Sequence, residues 1–160
     1  MTMPANDTII VRPASADAVV DLRLAVLRPG FPRDAAIFPL DRDPATHHFV
    51  AVVDHAGTKS DARIVGCVTI SRPRPWQDQP DAIQLRAMAV AEDFRGAGVG
   101  RQLLARVDQQ VLTLPPPRPI LWCNARVTAI GFYQRCGWTV ASEVFDSPPA
   151  GPHVKMTRQP

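Results

Sequence analysis

Residues 84–104 read Gln-Leu-Arg-Ala-Met-Ala-Val-Ala-Glu-Asp-Phe-Arg-Gly-Ala-Gly-Val-Gly-Arg-Gln-Leu-Leu, a strand that enters a turn of small residues and leaves it as a helix. Gly96, Gly98 and Gly100 carry no Cβ, so the backbone folds tightly there and can bring several N–H groups to bear on an anion. A helix that starts at about Gly98 adds N–H groups with no intrahelical acceptor and the positive end of its dipole. A phosphate fits such a cradle. The spacing excludes two families of phosphate loop. A dinucleotide fingerprint needs a third small residue at 101 or 103, where this chain has Arg101 and Leu103, and a Walker loop needs Gly-Lys-Ser/Thr, which is absent.

Seventeen prolines punctuate the rest of the 160 residues. Thr8 to Arg12 is a β-branched run ended by Pro13. Ser15 then caps a helix with apolar Val19, Leu22, Val26 and Leu27, stopped by Pro29-Gly30. Residues 31–46 mix proline and charge with Phe31, Ile37, Phe38 and Leu40, and their conformation is not legible. His48 to Asp54 and Arg63 to Ser71 read as two strands of a meander with a turn at residues 55–58. Residues 72–80 form a proline-rich loop, and Ile83 to Val90 a central strand, apolar on both faces in its latter half and therefore buried there. Val99, Leu103, Leu104, Val107 and Val111 make one helical stripe, closed by the proline run from Pro115. Ile120 to Cys123 reads as a strand, Arg126 to Cys136 as a helix closed by Gly137 at C′, and Trp138 to Phe145 and His153 to Arg158 as the last two strands.

Composition limits the function classes. The net charge of +3 is spread along the chain, and sixteen of the 18 basic residues are arginine, which suits bidentate contact with a polyanionic cofactor and gives no nucleic-acid footprint. No apolar run approaches the ~20 residues of a membrane span, and the N-terminus has no signal-peptide pattern, so a cytoplasmic protein with no membrane partner is expected. Cys67, Cys123 and Cys136 lack metal-site spacing and read as reduced, buried thiols; no metal is expected.

The run Arg95-Gly-Ala-Gly-Val-Gly100 resembles the Arg/Gln-x-x-Gly-x-Gly/Ala signature of the GNAT superfamily of acetyl-CoA-dependent N-acetyltransferases. Met88-Ala89-Val90 is similar to that family's pantetheine strand, and Asn124, Ala129, Phe132, Tyr133, Gly137 and Trp138 match its second cofactor motif. The resemblance covers roughly residues 82 to 140. It implies a GNAT-like acyl-CoA N-acyltransferase fold in one α/β domain, residues 8–160 after a short tail at 1–7. The sheet would be mixed and mostly antiparallel, with six to seven strands and about four helices.

The resemblance implies a role for each matched residue. Backbone groups of Met88, Ala89 and Val90 would pair with the pantetheine of acetyl-CoA, and the N–H groups of Arg95, Gly96, Ala97, Gly98, Val99, Gly100 and Arg101 would take the pyrophosphate. Asn124 would bond pantetheine or local backbone, and Tyr133, the sole tyrosine, would give a proton to the departing thiolate; packing of Tyr133 against a partner is the alternative. A small-molecule amine would then attack the thioester directly. Where many family members carry a glutamate base on the fourth strand, this chain has Gln84 and Arg86, leaving His47, His48, Glu143 and His153 as candidates, with His153 foremost. Arg86, Arg126 and His153 are the substrate-binding candidates; two guanidinium groups would suit an acidic or zwitterionic amine, and structural ion pairing is the other reading of both arginines. A peptide N-acetyltransferase and a silent acyl-CoA-binding regulatory module remain alternatives, and the family resemblance allows a homodimer.

Overall fold

The computed structural model describes residues 7–55 and 62–160. Among them are eight strands, β1 (Asp7–Ala14), β2 (Thr46–His55), β3 (Arg63–Ser71), β4 (Ile83–Val90), β5 (Leu121–Arg126), β6 (Thr139–Val140), β7 (Phe145–Asp146) and β8 (Pro152–Arg158). Three α-helices accompany them, α1 (Val20–Leu27), α2 (Val99–Leu112) and α3 (Ile130–Arg135), where about four were expected. Residues 31–46 supply only a 3-10 turn at Arg33–Ala36. The hydrogen-bonded order is β1-β2-β3-β4-β5-β8-β6, with β7 also on β8. The β4–β5 pair is parallel, whereas β1–β2 and all pairs on β8 are antiparallel. The turn read at residues 55–58 and the tail at 1–7 fall almost wholly outside the described residues. No helix among the described residues is long and apolar enough to cross a membrane.

The chain divides into two compact units, one from the described part of Met1–Thr69 with Ala87–Arg106, the other from Ile70–Arg86 with Val107–Pro160. In the first, β1 runs two residues past Arg12, and Pro13 pairs opposite Phe49. A proline without an N–H is tolerated because β1 is an edge strand. Ser15 Oγ accepts the Ala18 N–H at 3.3 Å, and a 3-10 turn at Asp17–Val19 leads into α1. Val19, Val50, Val52, Cys67 and Ala89 form the core, with Leu22, Val26 and Leu27 packed on it.

A buried polar network lies in the same unit. Arg23, 0% exposed, sits on the inward face of α1 and meets Asp41 in a two-pronged ion pair, Nη1 to Oδ2 at 2.6 Å and Nη2 to Oδ1 at 3.2 Å. Arg23 Nη2 also donates to Thr69 Oγ1 at 2.7 Å, and the guanidinium lies 4.9 Å from the centre of the Phe38 ring. Asp41 Oδ2 accepts the Phe38 N–H at 2.8 Å. His48 closes the circuit. Its Nε2 lies 2.8 Å from the Asp41 carbonyl, which only accepts, so Nε2 carries the proton; Nδ1, 2.8 Å from Thr69 Oγ1, then accepts from the hydroxyl. Residues 31–46 are therefore held by charge and hydrogen bonds, with little regular structure of their own.

In the second unit, β5 runs to Arg126, three residues beyond the expected end at Cys123, because β8 continues to pair with it through Arg126 and His153. The expected strand over 138–145 is two short ones. Thr139 and Val140 pair with Thr157 and Met156, but Phe145 pairs with His153, so the register slips by two residues between them. Ser142 absorbs the slip: its Oγ accepts the Lys155 N–H at 2.8 Å in place of a ladder carbonyl. Gly137, at φ +84°, ends α3, and the Trp138 N–H reaches back to the Tyr133 carbonyl at 3.0 Å.

The three cysteines are free thiols. Burial pushes the Cys67 thiol up to about 11 and the Cys123 thiol up to about 12. Thiolate is the reactive form, so both should be inert to an aromatic disulfide reagent in the native protein at pH 8, and only the half-buried Cys136 should react quickly. Three thiols reacting at equal rates without denaturant would contradict this burial.

Candidate functional site

The glycine loop belongs to the first unit. The β4–β5 ladder covers only Ile83 to Leu85, and Ala87 then takes φ +51° inside the strand. A left-handed alanine costs about 1–2 kcal/mol, and it kinks β4 where pairing stops. The expected burial of the latter half of β4 is corrected accordingly: Ile83 to Leu85 are buried, whereas Met88 and Val90 are half-exposed and only Ala89 is enclosed. A strand that leaves its neighbour's ladder, as β4 leaves β5 after Leu85, is where another chain-like group can pair.

After β4 the Ala91 N–H bonds the Val65 carbonyl at 2.8 Å, and a 3-10 turn at Glu92–Phe94 follows. Arg63 grips this turn with both guanidinium nitrogens on Asp93, at 2.6 and 3.1 Å, and lies 5.4 Å from the centre of the Phe94 ring. That contact holds the Asp93 carboxyl below its usual range. Gly96 and Gly98 both take φ +82°, the left-handed region that favours glycine. The Arg95 and Ala97 N–H groups bond the carbonyls of Glu92 and Phe94 at 3.2 and 3.3 Å, so the turn itself uses two of the expected phosphate donors. The first bond into α2 runs from Gln102 N–H to the Gly98 carbonyl at 3.1 Å, so the amides of Val99, Gly100 and Arg101 occupy the first turn of a helix. Arg95, Gly96, Ala97, Gly98 and Arg101 are exposed, Gly100 is half-buried, and the Val99 side chain is buried.

Gly66 on β3 is a positioning residue that the sequence reading missed. A Cβ there would lie 2.6 Å from Val99 Cγ1 and 3.0 Å from Leu103 Cδ1, so its absence lets the start of α2 sit close against β3. A lone glycine within the apolar run Ile64-Val-Gly-Cys-Val68 was the available signal.

The second unit gathers the other candidates on one sheet face. Gln84 pairs with Trp122, Asn124 with Lys155 and Arg126 with His153, and opposed residues project to the same side. Arg86, two residues beyond Gln84, shares that side, and its Nε donates to Ser71 Oγ at 3.1 Å. Arg74 Nε donates to Gln84 Oε1 at 3.2 Å, which occupies the oxygen of that amide. Asn124 Oδ1 accepts from Lys155 Nζ at 3.0 Å. His153 is 7% exposed, and its Nδ1 lies 2.7 Å from the Gly151 carbonyl. Nδ1 must donate there, which leaves Nε2 with the lone pair of the neutral ring. Phe145 stacks on the imidazole at 6.1 Å.

Tyr133 lies toward the opposite face, where Cys123 points. It is buried, its ring packs edge-on against Phe132 and Trp138 at 5.2 and 5.5 Å, and its hydroxyl is in hydrogen-bond contact with Cys123. Burial, with the Cys123 and Cys136 thiols nearby, raises its pKa well above the usual phenol value. Among the remaining histidines, His48 is a member of the Arg23–Asp41 network and His47 is half-buried on β2. Glu143 is exposed between β6 and β7.

Comparison with known proteins agrees with these elements. The model of the acetyltransferase (GNAT) domain matches residues 44–140. The chain is 25% identical over 147 residues to the uncharacterized N-acetyltransferase YitI of Bacillus subtilis (strain 168), covering 91% of this chain and 93% of that one. Among solved structures it is similar to Escherichia coli ElaA, with a TM-score of 0.71, 21% identity and coverage of 93% and 99% of the two chains. It is also similar to Arabidopsis thaliana NAA60 in complex with acetyl-CoA, with a TM-score of 0.71, 13% identity and coverage of 94% and 98%. The family model spans the kinked fourth strand, the glycine turn with its helix, and the Asn124 to Trp138 segment, and the chain belongs to the acetyltransferase (GNAT) family.

Proposed function

We propose that this chain, an acetyl-CoA-dependent N-acetyltransferase by its family, acetylates a small amine that also carries an acidic group, by direct attack of the amine on the thioester. The observation that carries the acceptor class is the shared sheet face of Arg86, Arg126 and His153. A carboxylate or phosphate bound by a guanidinium orients the amine, and the His153 Nε2 lone pair accepts its proton. Backbone groups of Met88, Ala89 and Val90 pair with pantetheine. The amides of Gly96, Gly98, Val99, Gly100 and Arg101 take the pyrophosphate, Asn124 hydrogen-bonds the pantetheine arm, and Tyr133 acts on the leaving thiolate. A backbone N–H near Met88 or Ala89 stabilises the oxyanion.

The test is a thiol-release screen over zwitterionic amines, polyamines and peptide N-termini. Arg126→Ala should raise the KM of the preferred acidic acceptor by roughly tenfold or more, while the KM for acetyl-CoA changes little. A preference for polycationic amines would sink the acceptor class, and a preference for peptide N-termini would favour a peptide N-acetyltransferase.

Gly98→Val tests the cofactor half separately. Valine at φ +82° is strained even though a Cβ meets nothing within 4 Å, so the loop must rearrange. Affinity for CoA should fall by at least ~1.4 kcal/mol, a factor of ten. Unchanged affinity by calorimetry in a folded variant would remove the loop from the site.

A further inference from the structure

Lys155 is one of only two lysines in the chain, with Lys59, against sixteen arginines. It stands on β8 inside an aromatic box. Its ammonium lies 4.8 Å from the centre of the Trp122 ring, 5.3 Å from Phe145 and 5.4 Å from Trp76. Trp76 and Trp122 stack on each other at 5.5 Å, and the Trp122 Nε1–H is anchored on the Arg74 carbonyl at 2.8 Å, so the box is braced from behind. Among the described residues, the polar contact of the ammonium is a neutral amide oxygen, Asn124 Oδ1. Its charge is thus held by π faces and one amide, a weaker setting for a cation than a carboxylate.

An aromatic face is a position where arginine is the commoner cation, and this chain uses arginine nearly everywhere else. The chemical difference between the two is that an ammonium loses its proton and becomes a nucleophile, while a guanidinium stays charged. Burial lowers the Lys155 pKa, which enlarges the neutral fraction at a given pH. Asn124, which holds its ammonium, is the residue proposed above to hydrogen-bond the pantetheine arm.

We propose that Lys155 is a self-acetylation site, its Nζ taking the acetyl group of acetyl-CoA bound by the same chain. This rests on the acetyl-CoA reading of the site given above. The neutral Nζ adds to the thioester carbonyl carbon, the carbon–sulfur bond breaks, and the proton shed by nitrogen ends on the CoA sulfur, so the products are N-acetyl-lysine and free CoA. No other reactant is needed. The acetamide that results keeps one N–H for Asn124 Oδ1 and lies against the same rings without charge.

The full-length protein is incubated with acetyl-CoA, and acetylation is followed by intact mass and peptide mapping, with calorimetry of CoA binding alongside. One acetyl group should appear on Lys155 at a rate at least ~10-fold above that on Lys59, which serves as the internal measure of uncatalysed acylation. The rate should rise with pH as Nζ deprotonates. Lys155→Arg should abolish it with an unchanged melting curve, and Gly98→Val should slow it by the same factor by which it weakens CoA binding. Equal rates at the two lysines, or CoA binding and acetylation of free amines without modification of Lys155, would overturn the inference and leave the proposed function standing. Absence of CoA binding would overturn both.

Discussion

Asp41→Ala is expected to destabilise the protein by about 3–5 kcal/mol, a fall in Tm of roughly 6–20 °C, because it leaves the Arg23 guanidinium buried without its counter-charge. The remaining partners of that guanidinium are neutral oxygens on Thr69 and Ala36, and Arg23 Nε has no hydrogen-bond partner. The Phe38 N–H loses its acceptor as well, so the segment carrying Phe38 loosens with the ion pair. Two further variants separate charge from shape. Asp41→Asn retains an oxygen for the Phe38 N–H but not the charge, and should recover only a minor part of the loss. The double variant Arg23→Met with Asp41→Leu should recover most of it, because a buried ion pair replaced as a pair by apolar groups is often neutral in stability. The His48 bond to the backbone carbonyl at position 41 survives every one of these changes. Thermal unfolding of Asp41→Ala within about 1 °C of the parent would show that the pair contributes nothing net.

How much of this was legible in the sequence depends on the range of the interaction. Strands at Arg63–Ser71 and Ile83–Val90 were readable to their end residues, and the α2 stripe at each position, because periodicity and proline boundaries are local signals. The network around Arg23 was not, since its members are 18 and 46 residues away in the chain. One trace was present: Arg23 falls between Val19 and Val26 on the stripe that faces inward, where a charge needs a partner. His48 stood among the candidate bases by residue type alone, and only the donors and acceptors around it identify its present role. Ala87 gave no signal, because alanine does not announce a left-handed backbone as glycine would. The pairing of Asn124 with Lys155 depends on the register of β5 against β8, which no local pattern encodes. The two-residue slip between β6 and β7 was hidden for the same reason.

The glycine turn was more legible than the shared face of Arg86, Arg126 and His153 for a physical reason. Phosphate is bound by backbone, and the backbone's needs show up as glycines at fixed spacing. An acceptor is bound by side chains from separate strands, whose meeting is a property of the fold. Arg86 and Arg126 illustrate this: each stood out as a charge on or near a strand, yet their common face follows only from the register that sets Gln84 beside Trp122 and Arg126 beside His153.

Tyr133→Phe should lower kcat by roughly 10² to 10³ with acetyl-CoA affinity little changed, the signature of a donor used only in the transition state. The phenol is protonated throughout the working range, since burial raises its pKa well above the usual value. The same shift makes it a reluctant acid. An ordinary thiol has a pKa of about 8.5, so complete transfer from Tyr133 to a free thiolate runs uphill, and what the hydroxyl supplies is a hydrogen bond as negative charge builds on sulfur. Its contact with Cys123 offers the rival account, in which the hydroxyl serves packing alone. Cys123→Ala distinguishes them, because it removes the partner and keeps the donor. If Tyr133 acts on sulfur, Cys123→Ala should lose stability through its cavity and keep kcat within about threefold, while Tyr133→Phe loses kcat and only about 0.5–1.5 kcal/mol of stability. If both variants lose stability and neither loses kcat while chemistry limits the rate, Tyr133 is a packing residue and the thiolate takes its proton from water.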